Sequence, residues 1–108
     1  IDFADVQTIF GYKGKAYMGI AKKRLGDTLE DAVRRAIDNP LTENKIDNAK
    51  GVIFNVRGGE NLGLSEINTA IQVINDKVSP DANIMFGTVI DETLGDTVEV
   101  TVIATGVE

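Results

Sequence analysis

GVIFNVRGGENLGLSEINTAIQVINDKVSPDANIMFGTVI, residues 51–90, is the stretch on which the fold turns. Its opening run, 52–56, is almost continuously apolar between Gly51 and Gly58-Gly59, the pattern of a strand covered on both faces and therefore central in its sheet. Ser65 stands where it can cap a helix, and Ile67, Ile71, Ile74 and Val78 follow at spacings of four, three and four, one helical stripe. Ser79-Pro80 stops that helix, and 83–90 reads as another strand. Two strands joined through a helix predict a right-handed parallel unit.

Upstream, Asp27-Thr28-Leu29-Glu30 reads as a capping box with Asp27 as the cap and Glu30 reaching back. Leu29, Ala32, Val33, Ala36 and Ile37 then make one buried stripe, which Asn39-Pro40 ends because the residue before proline avoids the helical region. Residues 41–49 read as a polar connection. Before Gly26 lies a strand at 15–21, entered after Gly11 and Gly14, and before that a short helix with Phe3, Val6 and Phe10 on one side. Downstream, 91–96, with Gly95, predicts a hairpin connection to a strand at 97–105, where Val98, Val100 and Val102 alternate with Thr97, Glu99 and Thr101. Tyr17, Met18, Ile84, Met85 and Phe86 read as core. The sum is an α+β fold: a βαβαββ core with a mixed four-stranded sheet and helices, preceded by a short N-terminal helix, with 1–108 as a single domain.

Composition narrows the chemistry. With 43% hydrophobic and 26% charged residues and two prolines, the chain has the make-up of a globular domain. A net charge of −6 argues against nucleic acid and against direct contact with an anionic membrane. No cysteine and no histidine exclude disulfides and imidazole catalysis, and no metal site is expected. Carboxylates must carry any catalysis. No apolar run approaches the roughly 20 residues of a membrane span and no signal peptide is visible, which suits a cytoplasmic protein.

Three groups of residues stand out. Asp2 and Asp5, three positions apart, open the first helix, where the macrodipole favours negative charge; helix capping worth about 1 kcal/mol explains them without any catalytic role. Gly58-Gly59-Glu60-Asn61-Leu62 sets a glycine pair between strand and helix, but it lacks the lysine and the spacing of a phosphate loop, and reads as a tight turn needing positive φ. Lys22-Lys23-Arg24 and Arg34-Arg35 read as a solvated face.

Asp2-Phe3-Ala4-Asp5, Ala16-Tyr17-Met18-Gly19-Ile20, Asn39-Pro40-Leu41, Gly58-Gly59-Glu60-Asn61-Leu62-Gly63-Leu64, Phe86-Gly87 and Val100-Thr101-Val102-Ile103-Ala104-Thr105-Gly106 together resemble the C-terminal domain of FtsZ, the bacterial tubulin-like cell-division GTPase family. The resemblance runs in order along essentially the whole chain. It implies a strand order of 1-4-2-3 and, in the full protein, an N-terminal GTP-binding domain joined through a long central helix. It further implies that GTP, with Mg, sits on that absent domain of one subunit while Asp2 and Asp5 of the next activate the attacking water, so that this chain alone neither binds nor hydrolyses GTP. Phe3, Gly58, Gly59, Asn61, Leu62 and Ser65 become candidates for the head-to-tail interface between copies of the protein. Division-ring proteins would be recruited through a tail absent here, and the place of action would be the division site in the cytoplasm. One segment departs from the family: Leu25-Gly26-Asp27-Thr28-Leu29 stands where relatives commonly carry Gly-Glu-Asn-Arg-Ala, losing the arginine. Two other readings of the residues stay open: a free-standing α+β binding or assembly module without GTP chemistry, and a ligand cleft or self-association surface on the sheet face bearing Thr101 and Ile103.

Overall fold

A computed structural model describes residues 3–12, 14–24, 26–38, 46–59 and 62–107, with the backbone alone for 3–6. The elements run α1 (Phe3–Phe10), β1 (Lys15–Lys22), α2 (Leu29–Ile37), β2 (Gly51–Gly58), α3 (Leu64–Lys77), β3 (Asn83–Ile90) and β4 (Val98–Val107), with short 3-10 turns at Ile46–Asn48 and Glu92–Leu94. They build one mixed sheet in the order β1-β4-β2-β3. β2 and β3 are parallel, from Gly51 opposite Asn83 to Gly58 opposite Ile90, and β4 is antiparallel to both β2 and β1.

The hairpin expected at 91–96 does not form, because β4 inserts between β1 and β2 instead of pairing with β3. The connection crosses the carboxyl end of β2. There the Asp91 N–H donates to the Gly58 carbonyl at 2.8 Å, and a Cβ on Gly59 would stand 1.9 Å from the Gly95 carbonyl oxygen. Alternation along β4 announces two unequal faces but is silent about which strands flank them.

One face of the sheet lies under α2 and α3. Val52, Phe54 and Val56 of β2 and Val98, Val100, Val102 and Ala104 of β4 meet the helices there in one continuous core. All five apolar positions read along α2 are buried, as helical periodicity requires. Phe54 stacks on Phe86 at 5.5 Å. α2 approaches β1 closely: the Tyr17 hydroxyl donates to the Ala36 carbonyl at 2.5 Å, and a Cβ on Gly19 would fall 1.9 Å from the same oxygen. The connection read as polar contributes Ile46 and Ala49 to this core; isolated apolar residues among polar ones carry no periodic signal. Residues 41–45 and the Asn39-Pro40 stop lie outside the described residues, and the Asp38 N–H closes α2 on the Arg34 carbonyl.

The opposite face carries a smaller cluster of Ile9, Ile53 and Met85, with Ile103 packed against it. Here, among the described side chains of α1, the apolar anchor is Ile9, fully buried, while Phe10 is 56% exposed. An eight-residue helix offers too few positions for spacing to choose between neighbouring stripes. Met18, read as core, is 61% exposed, because β1 alternates and its inward positions are Tyr17 and Gly19.

Both predicted caps shift. Thr28 caps α2: its hydroxyl accepts from the Asp31 N–H at 3.2 Å and the Asp31 carboxylate accepts from the Thr28 N–H at 3.1 Å, a capping box one residue later than read. α3 starts at Gly63 with no side-chain cap, and Ser65 falls inside its first turn.

Candidate functional site

The helix that carries Asp5 and the glycine turn lie at different parts of the sheet. Asp2 and Asn61 lie outside the described residues, and Phe3 and Asp5 are placed by backbone alone on the first half of α1. Among the described side chains, the attachment of α1 is at its other end. Ile9 packs on Ile53 and Met85 near the amino ends of β2 and β3, and the Thr105 hydroxyl donates to the Ile9 carbonyl at 2.5 Å. Gly51 opposes Thr105 in the β2–β4 ladder, and a Cβ there would touch Ile9, Thr105 and Tyr12, each at 3.0 Å.

Gly58, Gly59, Leu62 and Ser65 gather at the carboxyl end of β2, a strand's length from that anchor. Neither glycine takes positive φ; among the described residues Gly14, Gly26, Gly95 and Gly106 do. Gly58 and Gly59 serve close approach instead. A Cβ on Gly58 would meet Leu62 and Val98 at 3.4 Å, and the crossing connection occupies the space over Gly59. Ser65 is exposed at the start of α3 and its carbonyl accepts from the Thr69 hydroxyl at 3.0 Å.

An open cleft of about 450 Å³ adjoins this turn, lined by Lys23, Asp27, Gly59, Leu62, Glu66 and Asp96 among others. Its charges are mixed, and Lys23 spans to Glu66 at 3.9 Å. The basic clusters are therefore not a plain solvated face. Arg35 pairs with Asp27 at 2.8 Å and donates to the Lys22 carbonyl at 2.6 Å, stitching α2 to the end of β1 and the turn before the helix. The Arg24 backbone N–H, then the Arg35 guanidinium, hold the Asp27 carboxyl below the usual carboxylate range. Across the sheet, the Thr93 hydroxyl, the Arg57 guanidinium and the Thr93 N–H lower Asp91 in the same way. Sequence reasoning gave no pairing for Arg57 with Asp91 or for Thr105 with Ile9, because each partner is distant along the chain and no local spacing marks it. Among the described residues, no three of His, Cys, Asp and Glu gather to hold a metal, and no helix is long and apolar enough to cross a membrane.

A sequence model of the FtsZ family, C-terminal domain, matches residues 14–108. The chain belongs to the FtsZ family. An empty FtsZ dimer from M. jannaschii superposes with a TM-score of 0.85 at 34% identity, covering 98% of this chain and 31% of that one. A single-site mutant of FtsZ from the same organism gives 0.86 at 35% identity, covering 99% and 32%. CetZ from Methanosaeta thermophila shares the fold at a TM-score of 0.72 and 16% identity, over 95% of this chain and 31% of its own. The chain thus spans about a third of the length of the FtsZ structures it matches. The β1-β4-β2-β3 sheet with α2 and α3 on one face is the architecture of an FtsZ C-terminal domain.

Proposed function

We propose that this chain is the C-terminal polymerisation domain of a filament-forming cell-division GTPase, and that Asp2 and Asp5 complete the GTPase site of the adjacent subunit in a head-to-tail protofilament. The observation that carries the reading is FtsZ similarity along nearly the whole chain, at 34% identity over 98% of it. GTP and Mg belong to an N-terminal domain beyond this chain. Head-to-tail contacts use two different surfaces of each subunit and so generate open filaments, the form a division ring in the cytoplasm needs.

The chemistry assigned to the pair is modest and specific. Hydrolysis of a phosphoanhydride needs a water held in line with the γ-phosphate, and a carboxylate that accepts its hydrogen bond both orients and polarises it. Position 5 lies in the first turn of α1, so a helix fixed to the sheet carries that carboxylate. Gly58, Gly59, Asn61, Leu62, Ser65 and Phe3 are assigned to the surface that meets the neighbour. Division-ring proteins are assigned to a tail outside this chain.

Asp5→Ala in the full-length protein tests the assignment. GTP turnover should fall at least a hundredfold with GTP affinity unchanged, and turnover within threefold of the parent overturns the catalytic role. The 108-residue chain, added in excess to polymerising full-length protein, should cap filaments and lower the pelleted fraction; undiminished pelleting counts against the interface.

A further inference from the structure

We propose that Thr105 is a positioning residue for the acidic pair: its hydroxyl fixes the carboxyl-terminal end of α1 and thereby sets where the first turn of that helix stands. The inference rests on the reading of Asp2 and Asp5 given above.

α1 has eight residues, too few to be stable alone in water, so its position is set by what holds it. The last carbonyls of a helix have no partner within it. In α1 the Gln7 and Thr8 carbonyls share the Gly11 N–H at 3.0 and 3.1 Å. The Ile9 carbonyl receives a long bond from the Tyr12 N–H at 3.4 Å and a short one from Thr105 Oγ1 at 2.5 Å. That second bond comes from a residue 96 positions away, which makes it a cap supplied by the sheet.

The strand that supplies it is rigidly placed. β4 is flanked by β1 and β2, and the Lys50 N–H donates to the Thr105 carbonyl at 2.9 Å. Among the described residues Thr105 is the one buried side chain with a polar group that is not aromatic, at 4% exposure. A methyl in place of its hydroxyl would fill the same space and leave the Ile9 carbonyl, among the described residues, with the long bond alone. Gly51 keeps the junction tight, since Ile9, Thr105 and Tyr12 all converge on the space where its side chain would be.

The helix turns a local clamp into a lever. Asp5 precedes Ile9 by four residues, about 6 Å along the axis, so a tilt of about 10° at the clamp moves the first turn by about 1 Å. Displacements of that size at reacting groups cost up to about a hundredfold in rate. Thr105 itself touches no substrate; it acts through α1.

The test compares Thr105→Val, which keeps shape and loses the hydroxyl, with Thr105→Ser, which keeps the hydroxyl, both in the full-length protein with GTP. Thr105→Val should lower kcat about tenfold with KM, GTP affinity and pelleted polymer unchanged, while Thr105→Ser stays within twofold of the parent. Amide exchange at Gly11 and Tyr12 should quicken at least tenfold in Thr105→Val, with β2 amides unmoved. Loss in both variants, or in neither, overturns the proposal, as does fast exchange without loss of turnover. Asp5→Ala run in parallel separates the two claims: if it retains turnover, the acidic-pair reading fails; if it abolishes turnover while Thr105→Val is fully active, the positioning role alone fails. Should Thr105→Val not fold, Gly51→Ala wedges the same junction, and the same kcat loss supports the proposal while full turnover overturns it.

Discussion

The two faces of the sheet are closed to very different degrees. Under α2 and α3 the side chains of all four strands are packed into one core, with Phe54, Val56, Val100 and Val102 out of reach of solvent. On the other face α1 covers part of β2 and β3, and the β1–β4 half is left with Met18 and Ile20 more than half exposed beside half-buried Thr101 and Ile103. The first face makes the fold; the second leaves apolar side chains open to an interface. Exposed apolar side chains gathered on one flat surface mark such an interface more reliably than the same residues scattered.

The contrast is most easily broken by truncating one large side chain on each face. Phe54→Ala should cost about 3–5 kcal/mol, because it removes a stacked ring from a site with no solvent exposure. Ile20→Ser should stay within about 0.5 kcal/mol, since the side chain it shortens is 56% exposed. Urea unfolding of the 108-residue chain measures both; comparable losses would mean the open half is already covered, for instance by a second copy.

The next largest effect belongs to a glycine on the closed face. Gly19→Ala sets a methyl where the Ala36 carbonyl already stands, so α2 must move off β1, at a cost of about 1–3 kcal/mol. Gly63→Ser, at the start of α3 with nothing within 4 Å, should instead gain a few tenths of a kcal/mol by supplying the cap the helix lacks. If both glycines behave alike, close helix-to-strand approach is not what requires glycine at position 19.

How much of this was legible in sequence follows the same division. Periodicity found α2 residue by residue, because a helix against a sheet must repeat its apolar face, and it found β3 with both ends correct. It failed where a partner is chosen by tertiary placement. β4 has the alternation of a hairpin strand, yet its neighbours are β1 and β2, and Gly59 was the trace of that crossing: a glycine kept for room and not for φ. The α2 cap slipped by one residue because Asp27 and Thr28 are both good caps, and Asp27 was claimed by the Arg24 N–H and by Arg35. Asp2, Asp5 and Asn61 entered through family resemblance, and spacing alone gave them a structural role. Thr105 lay in a motif of the resemblance, but nothing in the sequence marked its bond to α1, since a threonine in a strand is ordinary.

Thr28→Ala should cost about 1 kcal/mol, and Asp27→Ala should leave the cap intact while loosening the segment before α2. Thermal unfolding of the two variants distinguishes them: if Asp27→Ala lowers the midpoint more than Thr28→Ala, the tie to Arg35 holds this segment more firmly than the cap does.

The smallest expected effect is acid sensitivity at the carboxyl end of β3. Asp91 is held below the usual carboxylate range by the Thr93 hydroxyl first and by Arg57 next, so its folded pKa lies below its unfolded one. The folded chain then binds fewer protons than the unfolded chain across that interval, and stability must rise with pH through it. The contribution is complete above the ordinary carboxylate value of about 4 and is lost as pH falls through the lowered folded value. Asp91→Asn removes that titration. Between pH 5 and pH 2.5 its urea midpoint should therefore fall less than the parent's, and parallel falls would show that the Arg57–Asp91 pair, being partly exposed, contributes nothing measurable there.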